Sequence, residues 1–251
     1  MIEAVTTTVE LSDAAVTTTC WGDGPPDIVL LHDGLGSIAQ WRSVPEQVAR
    51  RSGRTVLAYD RPGHGASTPT PFGPWPADWL RTEARRLAEL LDVTDAAAPL
   101  LVGHSDGGSI VLLHAAAGGA GRAALALAAH SWVEPAAVAQ IERLRGQSAV
   151  VIAGLARHHA EPAALFEAWS GAWVGASFAP FDIRPELDTI TMPTAVIQGR
   201  EDEFATDSQA ELTAAAVGSA GSCRLLPGVH HLMHHHDPEL VVELVLEAAT
   251  L

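Results

Sequence analysis

The chain has 251 residues, of which 47% are hydrophobic and 18% are charged, and its formal net charge is −15. A chain this apolar can bury a sizeable core and is not intrinsically disordered, whereas the acidic excess argues against nucleic acid and anionic membrane surfaces as partners. All 15 basic residues are arginines, which excludes a Schiff-base lysine and the phosphate-binding lysine of a P-loop.

The sequence carries no sign of secretion or of membrane insertion. Residues 1–8 lack the basic and apolar regions of a signal peptide, and every apolar run is shorter than the roughly 18 residues that a spanning helix needs. The two cysteines, Cys20 and Cys223, are too few for a disulfide scaffold, so we expect them to be reduced packing residues. We therefore expect a cytoplasmic protein, a monomer or homodimer, whose partner is a small-molecule substrate.

The first half of the chain alternates between predicted strands and predicted helices. Two stretches of alternating polarity, residues 4–11 and 15–21, predict a β-hairpin. The runs that follow are short and continuously apolar, as expected of strands buried on both faces of a parallel sheet. These runs cover residues 27–32, 55–59, 99–102 and 123–128, with helices predicted near 41–51 and 77–91 and from about residue 107. Repeated strand, helix and strand units predict a mostly parallel sheet.

The alternation stops after residue 130 and resumes near residue 189. Residues 131–188 contain helices and loops rich in Trp and Phe, and we predict that they form an inserted cap. The remaining elements repeat the earlier alternation, with strands at 194–198 and 222–226 and helices at 208–217 and 238–249. The prediction is therefore one α/β core, made of residues 1–130 and 189–251, with the cap inserted into it.

Gly103-His104-Ser105-Asp106-Gly107 has the pattern G-x-S-x-G and lies directly between a predicted strand and a predicted helix. Glycines two residues before and after the serine allow a sharp, strained turn that raises its hydroxyl above the sheet. The N-terminus of the following helix directs free N–H groups toward an anion there. The pattern alone would also fit an ordinary tight turn, but pattern and position together make Ser105 the candidate nucleophile.

A serine nucleophile needs a base and an orienting carboxylate, which this architecture supplies in the order acid, then histidine. Gly199-Arg200-Glu201-Asp202 follows the next-to-last predicted strand, at the strand end where catalytic groups of α/β sheets collect. We assign Asp202 as the acid and expect Glu201 and Glu203 to be solvated loop charges. Glu134, just past the preceding strand, is the rival acid.

Five histidines in seven positions follow the last predicted strand: His230, His231, His234, His235 and His236. We assign His231 as the base, since a histidine is needed at this strand end. Histidines four residues apart on a helix can also bind zinc, so a metal site is the alternative. The pairs with that spacing are His230 with His234 and His231 with His235. Because the glutamate of H-E-x-x-H is missing, we expect no metal and no cofactor.

Acyl transfer also needs hydrogen-bond donors for the tetrahedral oxyanion. The glycine-rich segment His32-Asp33-Gly34-Leu35-Gly36 follows the first predicted strand of the parallel sheet, where it can present backbone N–H groups toward Ser105. We assign the oxyanion hole to Gly34, Leu35 and Asp106. A plain connecting turn is the alternative.

These segments together resemble the α/β-hydrolase superfamily over nearly the whole chain. His32–Gly36 resembles the family's H-G-x-x-G turn, with Asp33 where glycine is usual, and Asp60–Ser67 resembles its D-x-x-G-x-G-x-S loop. Gly103–Gly107 resembles the nucleophile elbow, and Gly199–Asp202 the G-x-x-D turn of the acid. Aligning the histidine segment on Pro238 puts His231 at the family's catalytic histidine.

The resemblance, within a small bacterial esterase-like branch, implies the α/β-hydrolase fold: a mostly parallel, doubly wound sheet with an inserted helical cap. It implies a serine hydrolase acting on a carboxylic ester, thioester or lactone through an acyl-enzyme. The alternative is a non-hydrolytic lyase, cyclase or carbon–carbon-bond-cleaving enzyme on the same fold, which uses the serine and histidine for proton transfer. A ligand-binding protein on an inactive hydrolase scaffold is a third, weaker reading.

The substrate pocket is assigned to aromatic residues of the cap and a histidine beside it. An aromatic wall with few charges suits an apolar acyl or cyclic compound, although the same aromatics could instead serve to pack the cap onto the sheet. The residues assigned to the pocket are His130, Trp132, Phe166, Trp169 and Trp173. His130 is also a candidate further acid or base, which a simple esterase does not require.

Overall fold

An eight-stranded sheet lies at the centre of the structure, a computed structural model that describes residues 2–70 and 73–251. The strands are β1 (Ala4–Glu10), β2 (Ala15–Trp21), β3 (Ile28–Leu31), β4 (Val56–Tyr59), β5 (Leu100–His104), β6 (Ala123–Leu127), β7 (Thr194–Gly199) and β8 (Gly221–Leu226). Their order across the sheet is β1-β2-β4-β3-β5-β6-β7-β8. β1 and β2 form an antiparallel hairpin, β2 pairs antiparallel with β4, and all later pairings are parallel. The predicted fold class is confirmed.

Helices cover both faces of the sheet. They are α1 (Val44–Ser52), α2 (Trp79–Val93), α3 (Asp106–Ala116), α4 (Pro135–Arg145), α5 (Ser148–Leu155), α6 (Pro162–Trp173), α7 (Asp207–Val217), α8 (Met233–His236) and α9 (Pro238–Ala248). Short 3-10 turns cover Ile38–Trp41, Arg184–Thr189 and Gly218–Ala220. Among the described residues, no helix combines the length and the apolar character needed to cross a bilayer.

Neighbouring residues of one strand pack into two separate cores, because successive side chains of a strand point to opposite faces. Val29 and Leu31 of β3 belong to a cluster with α2, α3 and α6. Ile28 and Leu30 of the same strand belong to a cluster with α1 and α9. The continuous apolar runs of the sequence therefore form strands that are buried on both faces, as predicted.

Two details differ from the prediction. The helix expected from residue 41 begins at Val44, because Trp41 ends a 3-10 turn and Pro45 suits the first turn of a helix. Strand β8 lies at the edge of the sheet with three consecutive exposed residues. Cys223, one of these three, is thus a free, exposed thiol rather than the packing residue that we expected.

The segment between β6 and β7 contains α4, α5, α6 and the 3-10 turn Arg184–Thr189. We call residues 131–188 the insertion. Phe166, Trp169 and Trp173 of α6 are buried in the same cluster as β3. The insertion is thus attached to the sheet by the aromatic face of α6.

Candidate active site

Ser105 occupies the turn between β5 and α3 in a backbone conformation that non-glycine residues rarely adopt, with φ 53° and ψ −120°. Its N–H donates a hydrogen bond to the carbonyl oxygen of Leu127 on β6, at 2.8 Å. Strain of this kind persists only where the surroundings enforce it. The turn therefore holds the serine hydroxyl at the carboxyl end of the sheet, at the start of a helix.

The two glycines of the motif are needed because the backbone is crowded on both sides of Ser105. A Cβ atom at Gly103 would overlap the carbonyl of Gly107, and one at Gly107 would overlap the carbonyl of Leu31 in β3. Neither neighbour is a flexible side chain that could move away. The spacing G-x-S-x-G is thus a packing requirement of this turn.

His231 lies between Ser105 and Asp202. Its Nε2 is 3.0 Å from the Ser105 hydroxyl oxygen, and its Nδ1 is 2.9 Å from each carboxylate oxygen of Asp202. A carboxylate only accepts hydrogen bonds, so Nδ1 carries the proton and Nε2 presents its lone pair to the serine. The structure therefore brings together the three residues that the sequence assigned as nucleophile, base and acid, in a geometry that suits removal of the serine proton.

The charges of this group support each other. Burial disfavours the imidazolium form of His231, but the charge of Asp202 and its hydrogen bond outweigh burial, so the pKa of His231 is raised above its usual value. Burial likewise disfavours the Asp202 carboxylate, and the charge and hydrogen bond of His231 hold the pKa of Asp202 below its usual value. The Asp202 carboxylate also accepts a hydrogen bond from the N–H of Phe204, at 2.8 Å.

The rival acid, Glu134, does not contact His231. Its carboxylate accepts hydrogen bonds from the N–H and hydroxyl of Thr206, at 3.1 and 2.7 Å, and from the side-chain amide of Gln209, at 3.0 Å. Both glutamate oxygens are therefore occupied by the start of α7. This contact joins the beginning of the insertion to the core of the fold, which is a structural role.

The glutamates that flank Asp202 are exposed loop charges, as we expected, and both also accept hydrogen bonds from the histidine loop. Glu201 accepts a hydrogen bond from the N–H of Gly228, at 2.7 Å. Glu203 accepts from the N–H of His231, at 3.2 Å, and its other oxygen lies 2.7 Å from Nδ1 of His230. Both side chains reach across to the histidine loop because the two strand ends are neighbours in the sheet. They fix the backbone that carries His231.

Of the three predicted oxyanion donors, Gly34 and Leu35 lie in the turn after β3, and Asp106 lies at the start of α3. The N–H of Leu35 donates to the side chain of Asp33, at 3.0 Å, so it is not available to a ligand, and our assignment of Leu35 was wrong. Among the described residues, the N–H groups of Gly34 and Asp106 have no protein acceptor. Those two groups are the donors that can face an oxyanion at Ser105.

Arg61 supports this turn from beneath, although sequence reasoning gave it no role. Its guanidinium is buried, with 1% of the residue exposed, and Nη2 donates to the backbone carbonyl of Asp33, at 2.7 Å. The signal was present in the sequence, since Arg61 follows Asp60 in the loop that resembles the family's D-x-x-G-x-G-x-S motif. The pattern itself does not specify an arginine there.

A cavity of about 780 Å³ opens above Ser105. His130, Trp169 and Trp173 line it, as predicted from the sequence. Aliphatic side chains of α4 and α5 also line it, and sequence reasoning missed them. Those side chains are Ala137, Ile141, Leu144, Val150, Val151 and Leu155. The cavity thus has a large apolar surface, and polar side chains such as Gln140, Arg157 and Glu203 also line it.

Two of the predicted pocket residues lie elsewhere. Phe166 is fully buried on the face of α6 that packs against the sheet, and it serves the core. Trp132 pairs with Asp182 in a β-bridge, and the guanidinium of Arg184 lies 4.2 Å from the centre of its ring. The cation and the bridge hold Trp132 within the insertion, so neither residue reaches the cavity.

His130 faces the cavity next to the base. Its ring lies 5.9 Å from the ring of His231 and 5.2 Å from that of Trp173. Burial, followed by repulsion from His231, lowers the pKa of His130 to about 3. At neutral pH this side chain is therefore uncharged, and it can exchange hydrogen bonds with a substrate without acting as a charged acid.

The histidine cluster does not form the helical zinc pairs considered as the alternative. His231 is engaged by Asp202 and Ser105, and His230 by Glu203. His234 lies on the single turn of α8 and is buried. It faces Asp33, the residue before Gly34, and His104, the residue before Ser105. This contact was not predicted.

Comparison with known proteins identifies relatives along most of the chain. The model of a family described as "Alpha/beta hydrolase family" matches residues 28–244. A 2-succinyl-6-hydroxy-2,4-cyclohexadiene-1-carboxylate synthase of Salmonella agona (strain SL483) is 25% identical over 263 residues, which cover 91% of this chain and 95% of the synthase.

Two further similarities differ in extent. A stretch of 89 residues is 33% identical to an sn-1-specific diacylglycerol lipase of Xenopus tropicalis. That match covers 36% of this chain and 26% of the lipase, so the chain spans about a quarter of that relative's length. The crystal structure of a hydrolase from Pseudomonas aeruginosa PA01 superposes with a TM-score of 0.73 at 25% identity, and it covers 96% of this chain and 97% of that one.

Proposed function

The chain belongs to the alpha/beta hydrolase family, and from that premise we propose that it is a serine hydrolase that cleaves a carboxylic ester, thioester or lactone through an acyl-enzyme. The observation that supports this proposal most directly is the position of His231, within hydrogen-bond distance of both Ser105 and Asp202. A histidine held in this way can act as base toward the serine and as acid toward the leaving group.

In the proposed reaction, the Ser105 oxygen attacks the substrate carbonyl while its proton passes to Nε2 of His231. Asp202 stabilises the resulting imidazolium, and the N–H groups of Gly34 and Asp106 stabilise the oxyanion. His231 then protonates the leaving group, which departs, and the acyl group remains bonded to Ser105. A water molecule, deprotonated by His231, attacks the acyl-serine, and the carboxylic acid product departs with Ser105 restored.

The cavity supports a substrate with an apolar acyl or cyclic portion. Apolar side chains of α4 and α5 line the same cavity as Ser105, and the indole rings of Trp169 and Trp173 form part of the wall. Burial of apolar substrate surface against such a wall favours binding by about 25 cal/mol per Å². We propose that the insertion, residues 131–188, acts as the cap of the site and selects the acyl group.

Hydrolysis of p-nitrophenyl esters of increasing acyl length tests the proposal. We expect turnover whose kcat/KM rises with acyl length until the cavity is filled, and we expect a fluorophosphonate to label Ser105 covalently. The Ser105→Ala variant is the control for both readouts. An unlabelled wild-type enzyme, or equal turnover by the variant, would show that the serine is not the nucleophile.

A second candidate function is non-hydrolytic, namely elimination or carbon–carbon bond cleavage with proton transfer by His231. The similarity to the Salmonella synthase over 91% of the chain favours it, and so does the position of His130 beside His231. A neutral His130 can hold a substrate oxygen by a hydrogen bond while His231 moves the proton. Fold alone does not separate the two reactions.

Isotopic labelling separates them once a substrate is found. Hydrolysis in ¹⁸O-water puts one ¹⁸O atom into the acid product, and acid quenching during turnover traps the acyl group on Ser105. Elimination or carbon–carbon bond cleavage puts no ¹⁸O into the product and leaves Ser105 unmodified. Labelled acid together with a trapped acyl-serine would thus exclude the second candidate.

A further inference from the structure

Side chains from three distant parts of the chain converge beside the candidate active site. They are Asp33 in the turn after β3, His104 at the end of β5 and His234 in α8. One potential ligand atom of each residue lies within 4.8 Å of those of the other two. All three are buried, with 8%, 0% and 2% of the respective residue exposed. We call this group the Asp33 cluster.

The proton on His104 can be assigned from its neighbours. Its Nε2 lies 2.8 Å from the backbone carbonyl oxygen of His231, and a carbonyl only accepts hydrogen bonds, so Nε2 carries the proton. In the neutral ring, Nδ1 then presents a lone pair. That lone pair faces Oδ2 of Asp33 at 3.6 Å. In this neutral form, two acceptors face each other.

The cluster also lacks hydrogen-bond partners. Among the described residues, Oδ2 of Asp33, Nδ1 of His104 and Nδ1 of His234 are buried atoms with no partner. The other carboxylate oxygen of Asp33 is occupied by the N–H of Leu35. Buried polar atoms are nearly always paired, because leaving one unpaired costs about 1–3 kcal/mol. Three such atoms together in one place form a set of lone-pair donors that a single cation can satisfy.

We propose that the Asp33 cluster binds a divalent transition-metal ion, zinc being the best match to its ligands. Two imidazole nitrogens and one carboxylate oxygen are a usual donor set for zinc. Bonds of about 2.1 Å in a tetrahedral site place ligand atoms about 3.4 Å apart. The Asp33 and His104 atoms are already 3.6 Å apart, and the remaining separations close with side-chain movement on the order of 1 Å.

The fourth position is left for water, and Asp33 supplies the entry path because it also lines the 780 Å³ cavity. The metal would connect the oxyanion turn, the residue before Ser105 and the loop after His231. Its role is therefore to hold these three segments together. No step of the proposed serine reaction passes through the metal. The metal-binding proposal and the proposed serine reaction can therefore be tested independently.

Metal binding is tested on the whole protein after removal of metal by a chelator. We expect one equivalent of Zn²⁺ by calorimetric titration and by elemental analysis after dialysis, and a rise of several degrees in Tm when Zn²⁺ is added in excess over Kd. Co²⁺ should give the visible absorption of a site with nitrogen and oxygen ligands. Ser105→Ala should bind the metal like the wild type.

Variants identify the ligands. His234→Ala should weaken Zn²⁺ binding by at least 100-fold, whereas His236→Ala, on the same turn but exposed, should leave it unchanged. Asp33→Asn keeps the shape of the side chain and its contact to Leu35. It therefore tests whether the Asp33 carboxylate binds the metal, even if His234→Ala does not fold. The absence of any Zn²⁺ or Co²⁺ signal from the stripped wild type would overturn the proposal. Equal weakening by His236→Ala would also overturn it.

Discussion

The indole N–H of Trp169 donates a hydrogen bond to the carboxylate of Asp106, with 2.9 Å between Nε1 and Oδ2. Asp106 directly follows Ser105, so this bond connects the insertion to the start of α3. Asp106 is buried, and burial raises its pKa to about 6, an effect that the nearby charge of Arg61 partly offsets. Ionisation of this carboxylate, next to the candidate nucleophile, therefore lowers the stability of the folded state.

That loss of stability gives a pH-dependent prediction. Between the unfolded pKa of about 4 and the folded pKa of about 6, the folded state binds more protons than the unfolded state, so this group lowers stability as pH rises. Asp106→Asn removes the charge and should stabilise the protein by less than about 1 kcal/mol at pH 4 but by up to about 3 kcal/mol at pH 8. Urea unfolding at both pH values measures the difference.

The matched control for Asp106→Asn is Asp188→Asn, which changes an exposed carboxylate. It should give the same small stability difference at pH 4 and at pH 8. A stability gain for Asp106→Asn that does not change with pH would show that the carboxylate is not penalised by burial.

Ser105→Ala should reduce turnover by about 10⁴-fold or more, because the acyl-enzyme can no longer form. We expect unchanged circular dichroism and a Tm close to that of the wild type, since close backbone packing around the flanking glycines holds the turn. Steady-state kinetics and fluorophosphonate labelling measure the loss. Retention of near-wild-type activity would exclude Ser105 as the nucleophile.

Asp202→Asn and Glu134→Gln should affect different properties. The amide at position 202 no longer fixes the proton on Nδ1 of His231 and should lower kcat by about 10⁴-fold with little change in stability. Glu134→Gln weakens the hydrogen bonds to Thr206 and should lower stability by about 1–3 kcal/mol with a much smaller effect on kcat. Kinetics and denaturant unfolding of both variants provide the comparison. The reverse ranking in kcat would identify Glu134 as the acid.

The pH–rate profile should fall on the acidic side with an apparent pKa above 6.5. In the proposed reaction His231 acts as base only when neutral. Asp202 raises the pKa of His231 above its usual value, so kcat/KM is lost as pH falls through the raised value. Asp202→Asn should move this limb to lower pH, whereas His130→Gln should leave it in place because the pKa of His130 is about 3. If the acidic limb stayed at the same pH in Asp202→Asn, Asp202 would not be the residue that raises the pKa of His231.

Gly34→Ala should lower both kcat and stability. A Cβ atom there would overlap Nε1 of Trp169 and Oδ2 of Asp106, so the oxyanion turn must shift away from the insertion. A shift of this kind costs typically 1–3 kcal/mol. Gly154→Ala is the control, since nothing lies within 4 Å of the added Cβ and α5 gains helix propensity. Thermal unfolding of the two variants should therefore give changes of opposite sign, and a stable Gly34→Ala would contradict the packing argument.

Local signals in the sequence were sufficient for the sheet and for the position of Ser105. The repeated strand, helix and strand units predicted the parallel pairing but not the order of the strands, and the elbow is specified by glycines two residues away. Asp202 and Glu134 could not be separated in the same way, because both follow a strand and only the fold decides which one reaches His231.

The incorrect assignments of site residues also depend on contacts that only the fold determines. Leu35 was assigned as a donor because a backbone N–H has no sequence signature, and its capture by Asp33 depends on side-chain geometry. Phe166 and Trp169 lie three residues apart on α6, yet only Trp169 reaches the cavity. Which face of a helix meets the sheet depends on the packing angle. The Asp33 cluster joins residues from both ends of the chain, a distance over which periodicity carries no information.

The exposed edge strand β8 has one consequence for how the protein loses function. His231 follows this strand closely, and β8 pairs on one side only, with β7. Edge strands fray at lower free energy than the centre of a sheet, so they open before the whole fold does. Fraying of β8 withdraws the base while β5 still holds Ser105 in place. Loss of activity on warming should therefore follow the opening of an edge strand and not of the whole sheet, so activity should disappear while most of the backbone remains native.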